Sequence, residues 1–304
     1  STPQIRAIDA VNPLDRAFRE ALEYGITTVS VGPGSANPVA GQVCVLHTAG
    51  SYIDKMVLKA PSAMKFALGE NPKKVYNGKE ETPATRMAIA SVIREQLMKA
   101  KRYQQDLQKS KDEEDTDPPE LDMKCEALLP VLERKIKAHF HAHRADDICT
   151  AIRIAKEFDV GLTLEHVTEG HLIVDELAKE SNIPMAVGPS LTFASKFELQ
   201  NKSWETPGVL AKAGCHVSII TDNSVIPQQY LPLCAGMAVK AGMDPFAALQ
   251  AITINPAKHI GIADRVGSIE VGKDADLVLT DGCPFEVMTN VKAVLINGAV
   301  VSQK

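Results

Sequence analysis

Three of the eight histidines in this 304-residue chain, His139, His141 and His143, occupy alternate positions in KAHFHAHRADD (137–147). A fourth, His166, follows a short apolar run in GLTLEHVTEG, and Asp222 follows another in HVSIITDN. Lys65 interrupts the apolar stretch AMKFAL, with Glu70 just beyond it in GENP. Imidazole nitrogens and carboxylate oxygens are donors suited to zinc or a similar borderline divalent ion, and no thiolate is needed. Lys65 is the odd member, because an ammonium inside an apolar segment is costly unless it is paired or chemically converted. Either an ion pair or carboxylation to a metal-bridging carbamate would resolve it, with Glu70 the competing ligand from the same segment.

Strand geometry sorts the histidine cluster. Alternate residues share a face, so all three point one way for as long as the strand lasts. Residues i and i+2 lie about 6–7 Å apart along a strand, so one ion cannot take all three. The strand should stop near HRADD, where Asp146 or Asp147 suits the start of the helix DICTAIRIAKEF. His141, at the rim, is the expected ligand; His143, on the loop beyond, is placed to touch substrate; His139, deeper, is a supporting residue. Plainer alternatives are a histidine-bearing strand without metal, a core His166 beside a surface glutamate, and Asp222 as a helix cap.

Positioning these residues requires a sheet. Runs at 26–32, 43–47, 63–68, 136–141, 161–166, 183–187 and 216–221 read as buried strands. Helix-opening signals lie between many of them, at Asn12-Pro13, Thr82-Pro83 and Asp244-Pro245. Such alternation indicates an α/β fold with a parallel sheet. Seven strands are one fewer than a (β/α)8 TIM-type barrel needs, so a barrel lacking its first strand is expected. Reactive residues in such a barrel sit at the carboxyl ends of the strands. Residues 105–122 are polar and acidic and read as a solvated excursion between helices. After residue 265, GSIEVGKDADLVLTDG and VKAVLINGAVV read as short antiparallel strands. The chain thus divides into a barrel over 1–264 and a small β unit over 265–304.

A net charge of −5 gives no footprint for nucleic acid or an anionic membrane, so a small-molecule partner is expected. The six cysteines form no CxxC pair, and no apolar run nears the ~18 residues of a membrane span. With no signal-peptide pattern at Ser1, a cytoplasmic location is the expectation. Homo-oligomerisation stays open. The Gly-rich GPGSANPVAG raises a phosphate-binding barrel as a rival, but it lacks the Lys-Ser/Thr of a P-loop and reads as an ordinary loop.

Together, Lys65 with LGENP, HFHAHR, LEHVTEG, ITDN, INPAKHIGI and GSIEVGKDADLVL resemble the metal-dependent amidohydrolase superfamily, nearest its imidazolonepropionase-like and Xaa-Pro dipeptidase-like hydrolases. The resemblance covers nearly the whole chain. It implies a (β/α)8 barrel, a β unit that forms part of a composite sandwich, and one or two divalent ions, zinc first. It implies water attack on a carbonyl or related carbon at a C–N bond. His141 and His166 match the ligands of the family's fifth and sixth strands. Asp222 matches the eighth-strand aspartate that ligates metal and takes the proton of the attacking water. Lys65 matches the fourth-strand lysine that some members carboxylate, with Glu70 as its rival. His143, Arg144, His171, Glu169 and His47 are candidate substrate contacts. One departure stands out: the family's first strand carries an HxH pair, and none occurs before residue 139, so an N-terminally incomplete chain is expected. Alternatives are a scaffold of this fold without turnover and a deaminase of the same superfamily.

Overall fold

The seven predicted strands all form, and in the computed structural model, which describes residues 1–304, they lie side by side in chain order. They are β1 (Thr28–Val31), β2 (Val39–His47), β3 (Val57–Ala67), β4 (Lys137–Ala142), β5 (Leu162–His166), β6 (Met185–Val187) and β7 (Val217–Ile219). Every pairing from β3 to β7 is parallel. The β1–β2 and β2–β3 pairings are antiparallel, a departure from the all-parallel expectation. Connection length explains it. Residues 32–38 and 48–56 are too few for a parallel crossover, which needs a dozen or more.

Helices fill the longer connections. In chain order they are α1 (Arg16–Glu23), α2 (Ile53–Met56), α3 (Glu70–Asn77), α4 (Arg86–Asp112), α5 (Met123–Leu132), α6 (Ala145–Phe158), α7 (Val174–Lys179), α8 (Thr206–Lys212), α9 (Leu231–Lys240), α10 (Pro245–Gln250) and α11 (Ile254–Ile260). Thr85 caps α4 by accepting the Ala88 N–H at 3.1 Å, and Asp244 caps α10 in the same way at 2.8 Å. The α4 helix runs on to Asp112, so the polar excursion shrinks to 113–122. Gln, Leu and Lys in YQQDLQKSK favour helix, which overrides the expectation of a loop from 105.

The side chains of the strands divide by parity. Met64, Phe66, Ala138, Phe140, Leu162, Leu164, Met185 and Val217 join residues of α4, α5 and α6 in one buried apolar cluster of 34 residues. The Phe66 and Phe140 rings stack across β3 and β4 at 4.8 Å. The alternate positions, including Lys65, His139, His141, Thr163 and Glu165, therefore share the opposite, inner face. Hydrophobic packing outside thus fixes polar groups inside.

A second sheet of β8 (Leu277–Thr280), β9 (Val291–Ile296) and β10 (Ala299–Gln303) is antiparallel in the order β10-β9-β8. Asn297 (φ 50°) and Gly298 (φ 76°) make the tight turn of its last hairpin. The strand expected over 267–276 does not form, and pairing begins only at Leu277. No helix is long and apolar enough to cross a membrane.

Candidate metal centre

The parallel register sets Ala142 beside His166, so β4 and β5 deliver their last residues to one end of the sheet. On β5, Leu162 and Leu164 face the helices, and strict alternation would send His166 with them. Instead His166 (φ 76°) and Val167 (φ 44°) are left-handed, and the imidazole turns toward His141 and His143. The ring centroids of His166 lie 4.3 Å from each of those two, which are 4.8 Å apart. His143 reaches the group because β4 ends at Ala142, which frees it from the spacing of an extended strand. It was expected on the open loop as a substrate contact; the structure buries it in the cluster.

The chemistry of this donor set suits a divalent ion. The three rings are at most 3% exposed, and their ligating atoms lie within 4.8 Å of one another. Each Nδ1 has a partner, and His141 Nε2 also lies 3.4 Å from Asn71 Nδ2. His141 Nδ1 lies 3.0 Å from Ser35 Oγ, His143 Nδ1 2.7 Å from Thr168 Oγ1, and His166 Nδ1 donates to the Gly188 carbonyl at 2.8 Å. Burial, followed by the neighbouring imidazoles, holds His141 and His143 well below the usual histidine range. Burial also lowers His166, with the Asp222 charge opposing. Neutral, oriented imidazoles are what a borderline metal requires.

Lys65 stands beside His139 in the β3–β4 register. Burial lowers its ammonium below the ordinary lysine value, while the charges of Glu165 and Asp222 oppose that shift. Asp222, just past β7, is exposed and left-handed (φ 52°), and its charge is felt by both Lys65 and His166. Glu70 is committed elsewhere. Its carboxylate accepts the Glu198 N–H at 3.0 Å and pairs with Lys74 at 2.8 Å, outside the histidine group. Burial alone would raise its pKa, but Lys74, the Glu198 N–H and Arg86 together leave it lowered.

The candidate substrate contacts scatter. His47 is a correction: β2 runs antiparallel, so its last residue lies beside the start of β3, at the end opposite the histidine cluster. Its Nε2 is 3.0 Å from Asp276 Oδ2, both side chains buried, and the pair ties the barrel to the segment leading into β8. His171 is half-buried after β5, with Nδ1 2.9 Å from Thr206 Oγ1. Arg144 forks onto Asp146 at 3.0 Å and lies 5.8 Å from the Phe197 ring centre. Glu169 rather than Asp147 serves the start of α6, accepting the Ala145 N–H at 2.8 Å, while Asp147 pairs with Arg86.

Two functional-looking groups escape the sequence reading. Glu165 Oε1 lies 2.6 Å from Nε2 of both His139 and His259, a buried triad deeper in the barrel. The alternation of Leu162 and Leu164 with Thr163 and Glu165 is a signal that could have placed Glu165 inside. Glu198, wholly buried on the loop after β6, carries no periodic signal at all.

The sequence pattern of the amidohydrolase family matches residues 9–301. The crystal structure of an amidohydrolase from Thermotoga maritima MSB8 is 43% identical with a TM-score of 0.96, covering 100% of this chain and 79% of that one. Amidohydrolase tasK of Hapsidospora irregularis is 28% identical over 322 residues, which is 98% of this chain and 32% of its own length. An adenine deaminase of Lactobacillus delbrueckii subsp. bulgaricus is 25% identical over 267 residues, 84% of this chain and 42% of its own. The chain spans less than half the length of these two curated relatives. With a family match over nearly its whole length and a close structural relative, this chain belongs to the amidohydrolase family of hydrolytic enzymes.

Proposed function

We propose that the chain is the barrel of a divalent-metal-dependent hydrolase that cleaves C–N bonds in small cyclic amide, amide or dipeptide-like substrates. One observation carries the reading: His141, His143 and His166, buried and neutral, converge at the carboxyl ends of parallel strands. That is where barrel enzymes keep their chemistry. These three side chains would hold the ion, and zinc is the expected occupant of such an imidazole set. Lys65 is favoured over Glu70 as the flanking residue, because Lys74 and the Glu198 N–H already engage Glu70. When bound, a divalent ion supplies Lewis acidity and brings the ionisation of water toward neutral pH.

The remaining steps belong to the chain itself. Asp222 accepts the proton of the attacking water and passes it to the leaving nitrogen. Arg144 and His171, on the loops after β4 and β5, meet the substrate. The partner is a small molecule, and the six free cysteines favour a reducing, cytoplasmic setting.

Metal analysis and turnover on cyclic amides, Xaa-Pro dipeptides and aminopurines test the proposal. Asp222→Asn should cut turnover by roughly 10²–10⁴-fold, and His166→Ala should lose metal and turnover together. Unchanged turnover in both variants would sink the mechanism. The similarity to an adenine deaminase favours deamination as the second reading, and ammonia release without ring or peptide cleavage identifies it. Full metal content with no turnover on any substrate would instead mark a scaffold.

A further inference from the structure

Glu198 holds an oxygen that the fold does not explain. Its side chain is 0% exposed, on the loop between β6 and α8. One oxygen, Oε2, accepts the Glu70 N–H at 2.8 Å, and in return the Glu198 N–H donates to Glu70 Oε1 at 3.0 Å. This reciprocal clamp ties the loop after β6 to the first residue of α3. Gly69 makes room for it: at φ 83°, a Cβ there would sit 2.7 Å from Glu198 Oε2. The clamp fixes the carboxylate, yet uses only half of it.

The other oxygen, Oε1, is buried without a hydrogen-bond partner. The basic groups near it are His143 Nε2 and Lys196 Nζ, both at 3.8 Å and beyond hydrogen-bond range, while Arg86 lies 3.9 Å from Oε2. Lys196 is already engaged, donating to Asn71 Oδ1 at 2.6 Å. The other nitrogen of His143 is taken by Thr168, so Nε2 is the free atom of that ring. Buried unpaired carboxylate oxygens are rare in native folds and call for a function. Two donors on one ion, each bonded at about 2.0–2.2 Å, lie no more than about 4.4 Å apart. A separation of 3.8 Å is too long for a hydrogen bond and short enough for a shared ion.

We propose that Glu198 is a metal ligand, adding a carboxylate on the His143 side of the three-histidine group. The proposal rests on the metal reading above and adds to it a donor from the loop after β6. Three neutral imidazoles leave the charge of a divalent ion unbalanced in a buried site, and Glu198 supplies a buried carboxylate whose unpaired oxygen lies 3.8 Å from His143 Nε2. Its reciprocal bonds with Glu70 hold the carboxylate beside the cluster, and sharing one ion with all three rings takes a short inward shift of Oε1, which lies outside their 4.8 Å group.

Co²⁺ is the probe. The metal-stripped chain is titrated by calorimetry and by visible absorption, with circular dichroism monitoring the fold. Glu198→Gln keeps a carbonyl for the Glu70 N–H and replaces the inward oxygen by an amide. It should weaken Co²⁺ binding at least about tenfold and shift the visible bands, with the far-UV spectrum unchanged. Wild-type affinity and an unaltered spectrum in Glu198→Gln would overturn the proposal while leaving the histidine site standing. Absence of Co²⁺ binding by the wild-type chain would overturn both. Anomalous scattering from a Zn²⁺-soaked wild-type crystal decides the matter without a variant. An ion about 2.0–2.2 Å from Glu198 Oε1 supports ligation, and an ion held by the histidines out of bonding reach of that oxygen refutes it.

Discussion

Glu165→Ala probes whether the inner face of the barrel is held by a hydrogen-bonded carboxylate–imidazole network. Glu165 Oε1 lies 2.6 Å from Nε2 of both His139 and His259, and no side chain of the three is more than 11% exposed. Burial alone would raise the carboxyl, but the two imidazoles hold it well below the usual carboxylate range. A depressed acid contributes stability above its unfolded pKa, near 4.5, and loses that contribution as pH falls through the folded value. At pH 7 the contribution is complete. Hydrogen bonds to a charged group contribute about 1.5–3 kcal/mol each, and two that share one acceptor are not additive. Truncation also strands two buried imidazole N–H groups, so about 3–5 kcal/mol is the expected loss. At about 2–4 °C per kcal/mol for a large domain, the melting midpoint should fall by roughly 6–20 °C. Glu165→Gln retains a carbonyl acceptor and loses the charge, so it should cost about half as much. Urea unfolding of the metal-free chain, followed by far-UV circular dichroism, keeps metal-binding energy out of the comparison. If alanine were tolerated within about 1 kcal/mol, the triad would be a packing coincidence rather than a support.

Two further outcomes follow from the rim. His141 and His143 stay neutral in the fold while the unfolded chain protonates near pH 6.5, so the stability they confer is complete above that value and lost below it. Between pH 6.5 and 5.5 each should remove about 1 kcal/mol, and urea melts of the metal-free chain should show this slope flattened in a His141→Asn/His143→Asn double variant; equal slopes would show that the rings titrate freely. Gly69→Ala places a Cβ 2.7 Å from Glu198 Oε2 and 3.2 Å from Asp147 Oδ2 at a backbone conformation reserved for glycine (φ 83°, ψ −147°). It should cost about 1–3 kcal/mol from the backbone alone and weaken Co²⁺ binding, and wild-type stability in a urea melt would show that the loop simply rearranges.

What was legible in the sequence was local. Strand positions could be read because the outer cluster needs apolar residues at every second place, as in Met64, Phe66, Leu162 and Leu164. The same parity set Lys65 and the alternate histidines together on the inner face. Strand direction was not read, although seven residues between β1 and β2 were too few for a crossover, and His47 was therefore sent to the wrong end. Glu165 enters the sequence reading only through a plainer alternative, a surface glutamate beside a core His166, because a charged residue in an apolar run suggests solvent unless its partners are known. One of those partners, His259, lies 94 residues away. Glu198 was beyond reach for the same reason, since its position depends on Glu70, 128 residues earlier.

The strained residues show how the fold builds a cluster that alternation alone would not. Seven non-glycine residues have positive φ, and several do ordinary terminal work: Asp159 ends α6, Arg134 follows α5, and Asn297 turns a hairpin. His166, Val167 and Asp222 differ, because they lie where strands β5 and β7 hand over to the candidate site. Such conformations cost about 1–3 kcal/mol each, and for the β-branched Val167 a positive φ is a clear outlier. Had β5 continued its pleat, His166 would have joined Leu164 among the helices, leaving two imidazoles where there are three. Val167 itself is fully buried in the apolar cluster, so the packing that stabilises the barrel also holds the left-handed turn in place. The third imidazole is therefore a product of tertiary packing acting against local preference. The outward-facing core, rather than the histidine motif alone, is what makes a metal-capable geometry.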